Sequence, residues 1–182
     1  ISASLVGSEM CIRDRCCHLY RKQVQRGAYF LHEHPAFATS WKEPCVMEVL
    51  QLTGVGRIRA DQCQLGQQTV EGDPIKKPTG FMSNSEEILS CLNRRCFGKG
   101  GLCTRPLGGR HAECIGKVAQ RAAIFQEELC VTILRGLKKQ LRRDGRVADG
   151  TVGVHEVMLT AEDEINNFYH ELDRDRVPLG AG

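Results

Sequence analysis

The distribution of apolar and polar positions predicts an alternation of helices and strands in the first third of the chain. Apolar residues follow a helical spacing up to Gly27, and a β-prone run, AYFLHEHP, occupies residues 28–35. Helical spacing returns over residues 44–53, with Pro44 in the first turn, and the alternating run VGRIRAD occupies residues 55–61. The order helix, strand, helix, strand is typical of a parallel βαβ unit, so we expect the two strands to be parallel neighbours.

The remainder of the chain is predicted to contain one more strand and two helices, separated by polar loops. A short strand beginning at Phe81 leads into a helix introduced by the capping pattern Ser83-Asn-Ser-Glu86. The most regular helix covers residues 127–145, with an apolar face predicted at Cys130, Ile133, Leu134, Leu137 and Leu141. These elements predict an α/β fold. We expect a partial, Rossmann-like three-layer unit with a short, mainly parallel sheet and flanking helices, incomplete at the N-terminus.

Composition indicates one soluble domain of ordinary size. The chain has 182 residues, 41% of them hydrophobic, and a formal net charge of +3, which is too small to indicate nucleic-acid binding by itself. Ten cysteines occur without any C-x-x-C spacing. This pattern favours free thiols in a reducing compartment, cytoplasmic or nuclear, over a disulfide framework. No apolar run reaches the roughly 20 residues of a membrane span, so no membrane partner is expected.

Residues 4–15, SLVGSEMCIRDR, resemble the translation of a synthetic adapter used in sequencing libraries. They show no hydrophobic period that continues into the following helix. We therefore expect residues 1–15 to be non-native and residues 16–143 to form the α/β domain, as the C-terminal half of a larger domain. The composition then changes, which predicts a linker and a short acidic helix over residues 144–182.

Two short polar motifs follow the predicted strands and are candidates for a reaction site. The motif HEHP places Glu33 and His34 at the end of the first strand, and DQC places Asp61 and Cys63 at the end of the second. Ligands bind at the carboxyl ends of strands in open α/β sheets, so these four residues are predicted to line one crevice as catalytic groups. A buried structural thiol is the alternative for Cys63. His32 and His34 form an H-x-H pair, but no third ligand is indicated, and the sequence therefore predicts no metal site.

Four longer motifs resemble, in their order and spacing, a domain of copia-type retrotransposon polyproteins of eukaryotic microbes. They are GAYFLHEHPAFATSW, ADQCQLG, KKPTGFMSN and GGRHAECIGKVAQRAAIFQEELC, and the resemblance covers about residues 20–141. It implies similarity to the later half of methyltransferase-type Rossmann folds, in which a Pro-containing motif after a strand lines the cofactor and substrate cleft. The residues that this resemblance and the HEHP motif place in the pocket are His32, Pro35, Trp41, Gln62, Lys77, Thr79 and Asn84.

The chain departs from the family pattern at three places. Arg110-His111 replaces an H-x-H pair, Gln126 stands where a proline is usual, and Gly80 lies inside the K-P-T segment. We expect, first, a fragment of a retrotransposon-derived polyprotein without activity of its own, whose partner is the remainder of that polyprotein.

Two other functions stay open at this point. The chain is compatible with the substrate-side half of an S-adenosylmethionine-dependent methyltransferase, with S-adenosylmethionine as cofactor and nucleic acid as a candidate partner. A third alternative is a degenerate structural or interaction module, which the lost histidine and Gly80 favour. The residues present demand no cofactor. The basic end of the helix over residues 127–145 is compatible with nucleic acid, but a solvated helix face is the simpler explanation.

Overall fold

The structure is a computed structural model that describes residues 2–147, with side chains from residue 12 onward. Its helices are α1 (Ser2–Gln25), α2 (Pro44–Leu50), α3 (Glu86–Leu92), α4 (Gly116–Arg121) and α5 (Glu127–Arg143). Its strands are β1 (Leu31–Pro35), β2 (Gly56–Asp61) and β3 (Pro78–Ser83), and two 3-10 helices cover Thr39–Lys42 and Gln62–Leu65. The acidic helix predicted near the C-terminus lies outside the described residues.

The three strands form one antiparallel sheet in the order β1-β3-β2. Pro35 of β1 pairs with Thr79 of β3, and Asp61 of β2 pairs with Pro78 of β3. The expectation of a mainly parallel, Rossmann-like sheet is therefore wrong. β1 and β2 do run in the same direction, but β3 lies between them and is antiparallel to both.

Burial explains why β3 takes the central position. Five of its six residues are buried, whereas no residue of β1 is buried. A central strand has both faces covered and both edges paired, so the most apolar segment stabilises the sheet most when it occupies that place. β1 and β2 do not pair with each other, and β3, which follows both in the chain, lies between them.

One face of the sheet packs against α3 and α5. The buried core on this side consists of Ala60, Leu65, Phe81, Ile88, Leu89, Leu92 and Leu129. Helix α3 begins at Glu86, because the Ser85 hydroxyl accepts a hydrogen bond from the backbone N–H of Ile88 and so caps the first turn. Gln140 of α5 reinforces this cap, since its side-chain oxygen accepts from the Ser85 hydroxyl at 3.0 Å.

Two residues of the predicted apolar face of helix α5, Ile133 and Leu137, pack against this core, but Cys130 does not. The buried residues of the helix are Leu129, Thr132, Gly136 and Gln140, whereas Cys130, assigned to the apolar face, is exposed. Gly136 is buried at a close backbone contact, since a Cβ at that position would lie 2.6 Å from the Cα atom of Ile88. The helix turns its smallest residue toward α3 so that the two backbones approach closely.

The other face of the sheet packs against α1 and α2. Its buried core consists of Cys17, Phe30, Trp41, Val46, Val49 and Met82. The Trp41 indole lies close to β3, where a Cβ on Gly80 would be 2.7 Å from Cζ2 of the ring. Gly80, a departure from the family pattern, thus has a packing role: the indole occupies the space of a side chain.

Helix α1 includes the segment expected to derive from an adapter. Its backbone is helical from Ser2 to Gln25, so residues 4–15 continue the helix of the following segment. By backbone proximity the chain divides into one unit that ends at Gln140 and another that begins at Leu141. Among the described helices, none combines the length and the apolar character that a membrane crossing requires.

Candidate metal centre

Four side chains that are distant in sequence converge at one end of the sheet. Cys63 lies in the 3-10 helix that follows β2, and Cys96, Cys103 and His111 lie in the irregular segment between α3 and α4. Their potential ligand atoms all lie within 4.8 Å of one another. The three cysteines are buried and the histidine is partly buried, so the group is shielded from solvent.

Two distances between donor atoms match those around a tetrahedral zinc ion. The Sγ atoms of Cys96 and Cys103 are 3.9 Å apart, and Nε2 of His111 is 3.6 Å from Cys96 Sγ. Zinc–sulfur bonds of about 2.3 Å and zinc–nitrogen bonds of about 2.0 Å at tetrahedral angles give separations of about 3.8 Å and about 3.5 Å. A disulfide needs sulfurs about 2.05 Å apart, and the three cysteines are free of disulfide bonds.

The surroundings of Cys96 favour the thiolate, which is the form that binds metals. Burial by itself raises the pKa of this thiol, but the backbone N–H groups of Thr104 and Gly98 donate to the sulfur. With additional hydrogen bonds from the side chains of Thr104 and Cys103, they lower the pKa to about 6. Gly98 is necessary for this loop, since a Cβ there would overlap the carbonyl group of Leu102.

Cys63 has the opposite environment when no metal is bound. Burial is the largest effect on its pKa, which is raised well above the ordinary value for a thiol. The amide nitrogen of Gln64 lies 3.7 Å from its sulfur and 3.4 Å from that of Cys103. A catalytic nucleophile needs a lowered pKa or an adjacent base, whereas a thiol that binds a metal cation releases its proton to solvent because the cation stabilises the thiolate.

Asp61 positions the ligand loop. Its carboxylate is fully buried, and Oδ2 accepts hydrogen bonds from the backbone N–H of Cys96 at 2.9 Å and from Nε of Arg95 at 3.0 Å. Arg59 lies 3.8 Å from the other carboxylate oxygen. Because Asp61 ends β2, these contacts fix the start of the loop to the sheet. This carboxylate, predicted to be catalytic, is a positioning group for Cys96 in the structure.

Backbone hydrogen bonds close the loop on itself. The N–H of Cys103 donates to the carbonyl oxygen of Gly109 at 2.8 Å, and the N–H of His111 donates to that of Gly101 at 2.7 Å. The Lys76 ammonium donates to the carbonyl oxygen of Cys96 at 3.0 Å. The three ligands of the loop are therefore held in place although none of them lies in a helix or strand.

Four of the other predicted site residues form a polar network on the α5 side of the sheet. The Gln62 amide donates to the Thr79 hydroxyl at 2.8 Å, and that hydroxyl donates to the carbonyl oxygen of Lys77. The Lys77 ammonium lies 4.0 Å from a carboxylate oxygen of Glu33 and donates to the carbonyl oxygen of Ala122 at 3.1 Å. Glu33 thus has Lys77 as its charged partner, whereas Asp61 contacts Arg95 and Cys96.

His32, His34 and Trp41 lie on the opposite face and contact one another edge to face or by stacking. With Tyr20 and Ser40 they line a cavity of about 170 Å³. The indole N–H of Trp41 donates to the carbonyl oxygen of Pro35 at 2.8 Å. The four residues predicted to line one crevice therefore make three separate sets of contacts. Glu33 contacts Lys77, His34 contacts Trp41, and Asp61 and Cys63 belong to the metal centre and its support.

Asn84 has a structural role beyond the end of β3. Its side-chain oxygen accepts from the N–H of Phe30 at 3.0 Å, and its amide nitrogen donates to the carbonyl oxygen of Ala28 at 2.8 Å. These bonds join the segment before β1 to the segment after β3. Such a pairing satisfies backbone groups that no strand partner reaches.

His32 is expected to make the stability of the protein depend on pH. Burial, and then the charge of His34, lower its pKa to about 4, below the roughly 6.5 of an unfolded chain. The unfolded chain therefore binds more protons between these values. The stability contributed by neutral His32 is complete above about pH 6.5 and is lost as the pH falls through about 4. Urea unfolding at about pH 7.5 and about pH 4.5 should show a loss about 2 kcal/mol smaller in His32→Gln than in the unmodified protein.

The comparison between variants removes the contribution of other titrating groups, including those of the metal centre. His18 is exposed on α1, so His18→Gln is the matched control and should retain the full pH dependence. An equal loss of stability in His32→Gln and His18→Gln would contradict the assignment.

The sequence predicted Cys63 as a site residue, but it did not predict Cys96, Cys103 or His111 as site residues. The available signal was the spacing C-x6-C-x7-H in a glycine-rich stretch without acidic residues. That spacing is wider than the C-x₂₋₄-C of common zinc motifs, and the fourth ligand lies on the far side of β3 and α3 in the sequence.

The chain matches no protein-family model, and no curated protein or solved structure is significantly similar to it. The resemblance to copia-type polyproteins therefore stays a prediction. The geometry of the metal centre is the basis for a functional proposal.

Proposed function

We propose that this chain is a zinc-binding module in which zinc serves a structural role. The observation that carries the proposal is the convergence of Cys63, Cys96, Cys103 and His111 within 4.8 Å. Three thiols and one imidazole are a ligand set that favours zinc over magnesium or calcium, which prefer oxygen ligands, and two of their separations match tetrahedral coordination.

The ligand count supports a structural rather than a catalytic role. Zinc enzymes commonly keep one position for water or substrate, whereas structural sites are closed by four protein ligands. Here four protein donors are available, and the three sulfurs are buried. A bound ion would therefore have no open position for a reacting molecule.

The core around these residues supports the same conclusion. The buried cluster at this end of the molecule consists of Cys63, Cys96 and Cys103 alone, and the segment between α3 and α4 contains no helix or strand. Such a segment buries too little apolar surface to offset its conformational entropy. A zinc ion that joins it to the end of β2 supplies the missing stabilisation.

Among the functions expected from the sequence, an interaction module agrees best with this centre. The methyltransferase alternative relied on a parallel sheet at whose edge Glu33 and Asp61 would meet, and the antiparallel order removes that support. We retain an origin in a copia-type polyprotein as a prediction, in which this module would be one part of the longer chain.

Metal analysis of the purified full chain tests the proposal. We expect about one zinc ion per chain after dialysis, and substitution by cobalt should produce the absorption of tetrahedral thiolate coordination. Cys103→Ser should lose most of the bound metal. Cys130→Ser removes an exposed thiol outside the cluster and should retain it. A metal content below about 0.1 per chain, or equal retention in both variants, would rule out the site.

A further inference from the structure

The loops that the metal centre closes carry an exposed and positively charged surface. We propose that this loop surface, formed by the exposed side chains of residues 94–111, binds single-stranded nucleic acid. The inference rests on the proposed zinc centre, because the metal holds the loops in the arrangement that the partner would contact.

Charge is the first observation that supports this partner. Residues 94–111 contain five arginine and lysine residues and no aspartate or glutamate. Arg94 and Arg95 form ion pairs with carboxylates elsewhere in the fold. The other three cations have no ion pair with any described residue: Lys99, Arg105 and Arg110. Arg105 donates three hydrogen bonds and Arg110 one to oxygen atoms within the fold, but these acceptors are neutral. No carboxylate therefore compensates the three positive charges, which can attract a polyanion.

Exposed apolar side chains are the second observation. Phe97, Leu102 and Leu107 are 77%, 54% and 85% exposed, respectively. Phe97 directly follows the ligand Cys96, and Leu102 directly precedes the ligand Cys103, so the metal centre holds both side chains outward. An exposed aromatic ring in the same loops as cations without an acidic partner is a combination on which bases stack while their phosphates are neutralised.

The structure favours single strands over a duplex. An α-helix or a two-stranded ribbon is the element that enters the major groove of DNA, whereas residues 94–111 form irregular loops with a single isolated bridge between Leu102 and Arg110. Stacking on Phe97 also requires a base whose face is free. Unpaired bases meet this requirement in both RNA and DNA.

Fluorescence anisotropy with the zinc-loaded full chain tests the proposal. The probes are a labelled oligouridylate, an oligothymidylate of equal length and a duplex. We expect the single strands to bind more tightly than the duplex, and the logarithm of the binding constant to fall with the logarithm of salt concentration with a slope of about −2, as three cations predict. The single strand that binds more tightly shows whether the surface prefers RNA or DNA.

Matched variants assign the binding to this surface. Phe97→Ala should weaken single-strand binding about ten- to a hundredfold, and Lys99→Glu should weaken it and reduce the salt slope. Phe37 is 73% exposed and Lys42 is exposed, and neither belongs to the loops. Phe37→Ala and Lys42→Glu should therefore leave binding unchanged.

Zinc content measured on the same samples separates this inference from the proposed function. A zinc-loaded protein that binds neither single strand, or that binds equally as Phe97→Ala and Phe37→Ala, overturns the inference and leaves the zinc centre in place. Binding to an acidic polypeptide but to neither oligonucleotide also overturns it and assigns the surface to a protein partner. A preparation that holds no zinc overturns the proposed function itself.

Discussion

Removal of zinc is expected to lower the free energy of unfolding by about 4 kcal/mol, when free zinc exceeds the dissociation constant about a thousandfold. The ion joins Cys63 at the end of β2 to a loop whose buried cluster contains only cysteines, so its binding energy is folding energy. Urea unfolding with and without a chelator measures the change. Trp41, the one tryptophan of the chain, is buried on the face of the sheet that packs against α1 and α2. It lies outside the metal centre, so its fluorescence reports unfolding of the sheet rather than of the ligand loop alone.

Variants of the cysteines distinguish loss of zinc from other effects of the chelator. Cys63→Ser should have the low stability of the chelated protein whether or not chelator is present. Cys130→Ser, at an exposed position outside the centre, should respond to chelation like the unmodified protein. An unfolding curve that chelation leaves unchanged, in a sample shown to contain zinc, would mean that the metal does not stabilise the fold.

Replacement of Asp61 by alanine is expected to destabilise the protein by about 3 to 5 kcal/mol. The carboxylate is fully buried between Arg95 and the N–H of Cys96, and its loss leaves the guanidinium without its partner. Because the same carboxylate positions Cys96, zinc affinity should fall about 10- to 100-fold, as is typical when a group that orients a ligand is removed. Urea unfolding and a competitive zinc titration measure the two effects.

The conservative variant Asp61→Asn tests whether Asp61 acts by positioning Cys96. Asp61→Asn keeps an oxygen that accepts from Cys96 N–H, so it should recover part of the zinc affinity while it still lacks the ion pair with Arg95. Asp73 is exposed, and Asp73→Ala should change neither quantity. Unchanged zinc affinity in Asp61→Ala would show that the loop is positioned without this carboxylate.

The element types were predictable where periodicity is strong. The pattern in residues 44–53 indicated a helix, and α2 covers Pro44–Leu50; the alternation in residues 55–61 indicated a strand, and β2 covers Gly56–Asp61. Strand direction was not predictable from this local order. A helix between two strands fits a parallel pair, but it fits equally a pair separated by a third strand that is inserted later in the chain.

The buried face of α5 shows a similar limit. Periodicity placed Cys130 among the core residues, because cysteine counts as apolar. Ile133 and Leu137 of the predicted apolar face do pack against the core, but Cys130 is exposed, and the close approach to Ile88 occurs at Gly136. Glycine contributes little to an apolar pattern, yet Gly136 is among the buried residues of the helix.

The metal centre illustrates what the sequence by itself determined about this protein. From the sequence alone we predicted free thiols in a chain with no C-x-x-C pair, a glycine-rich loop without acidic residues, and a cysteine just after a strand. These features follow from residue types and near neighbours, because periodicity, turn chemistry and charge act over a few positions. Only the tertiary structure brought Cys63 to Cys96, Cys103 and His111, since their meeting depends on the insertion of β3 between β1 and β2 and on the contact of Asp61 with the loop. Long-range pairing has no local signal, so the fold alone decided that these thiols form one site.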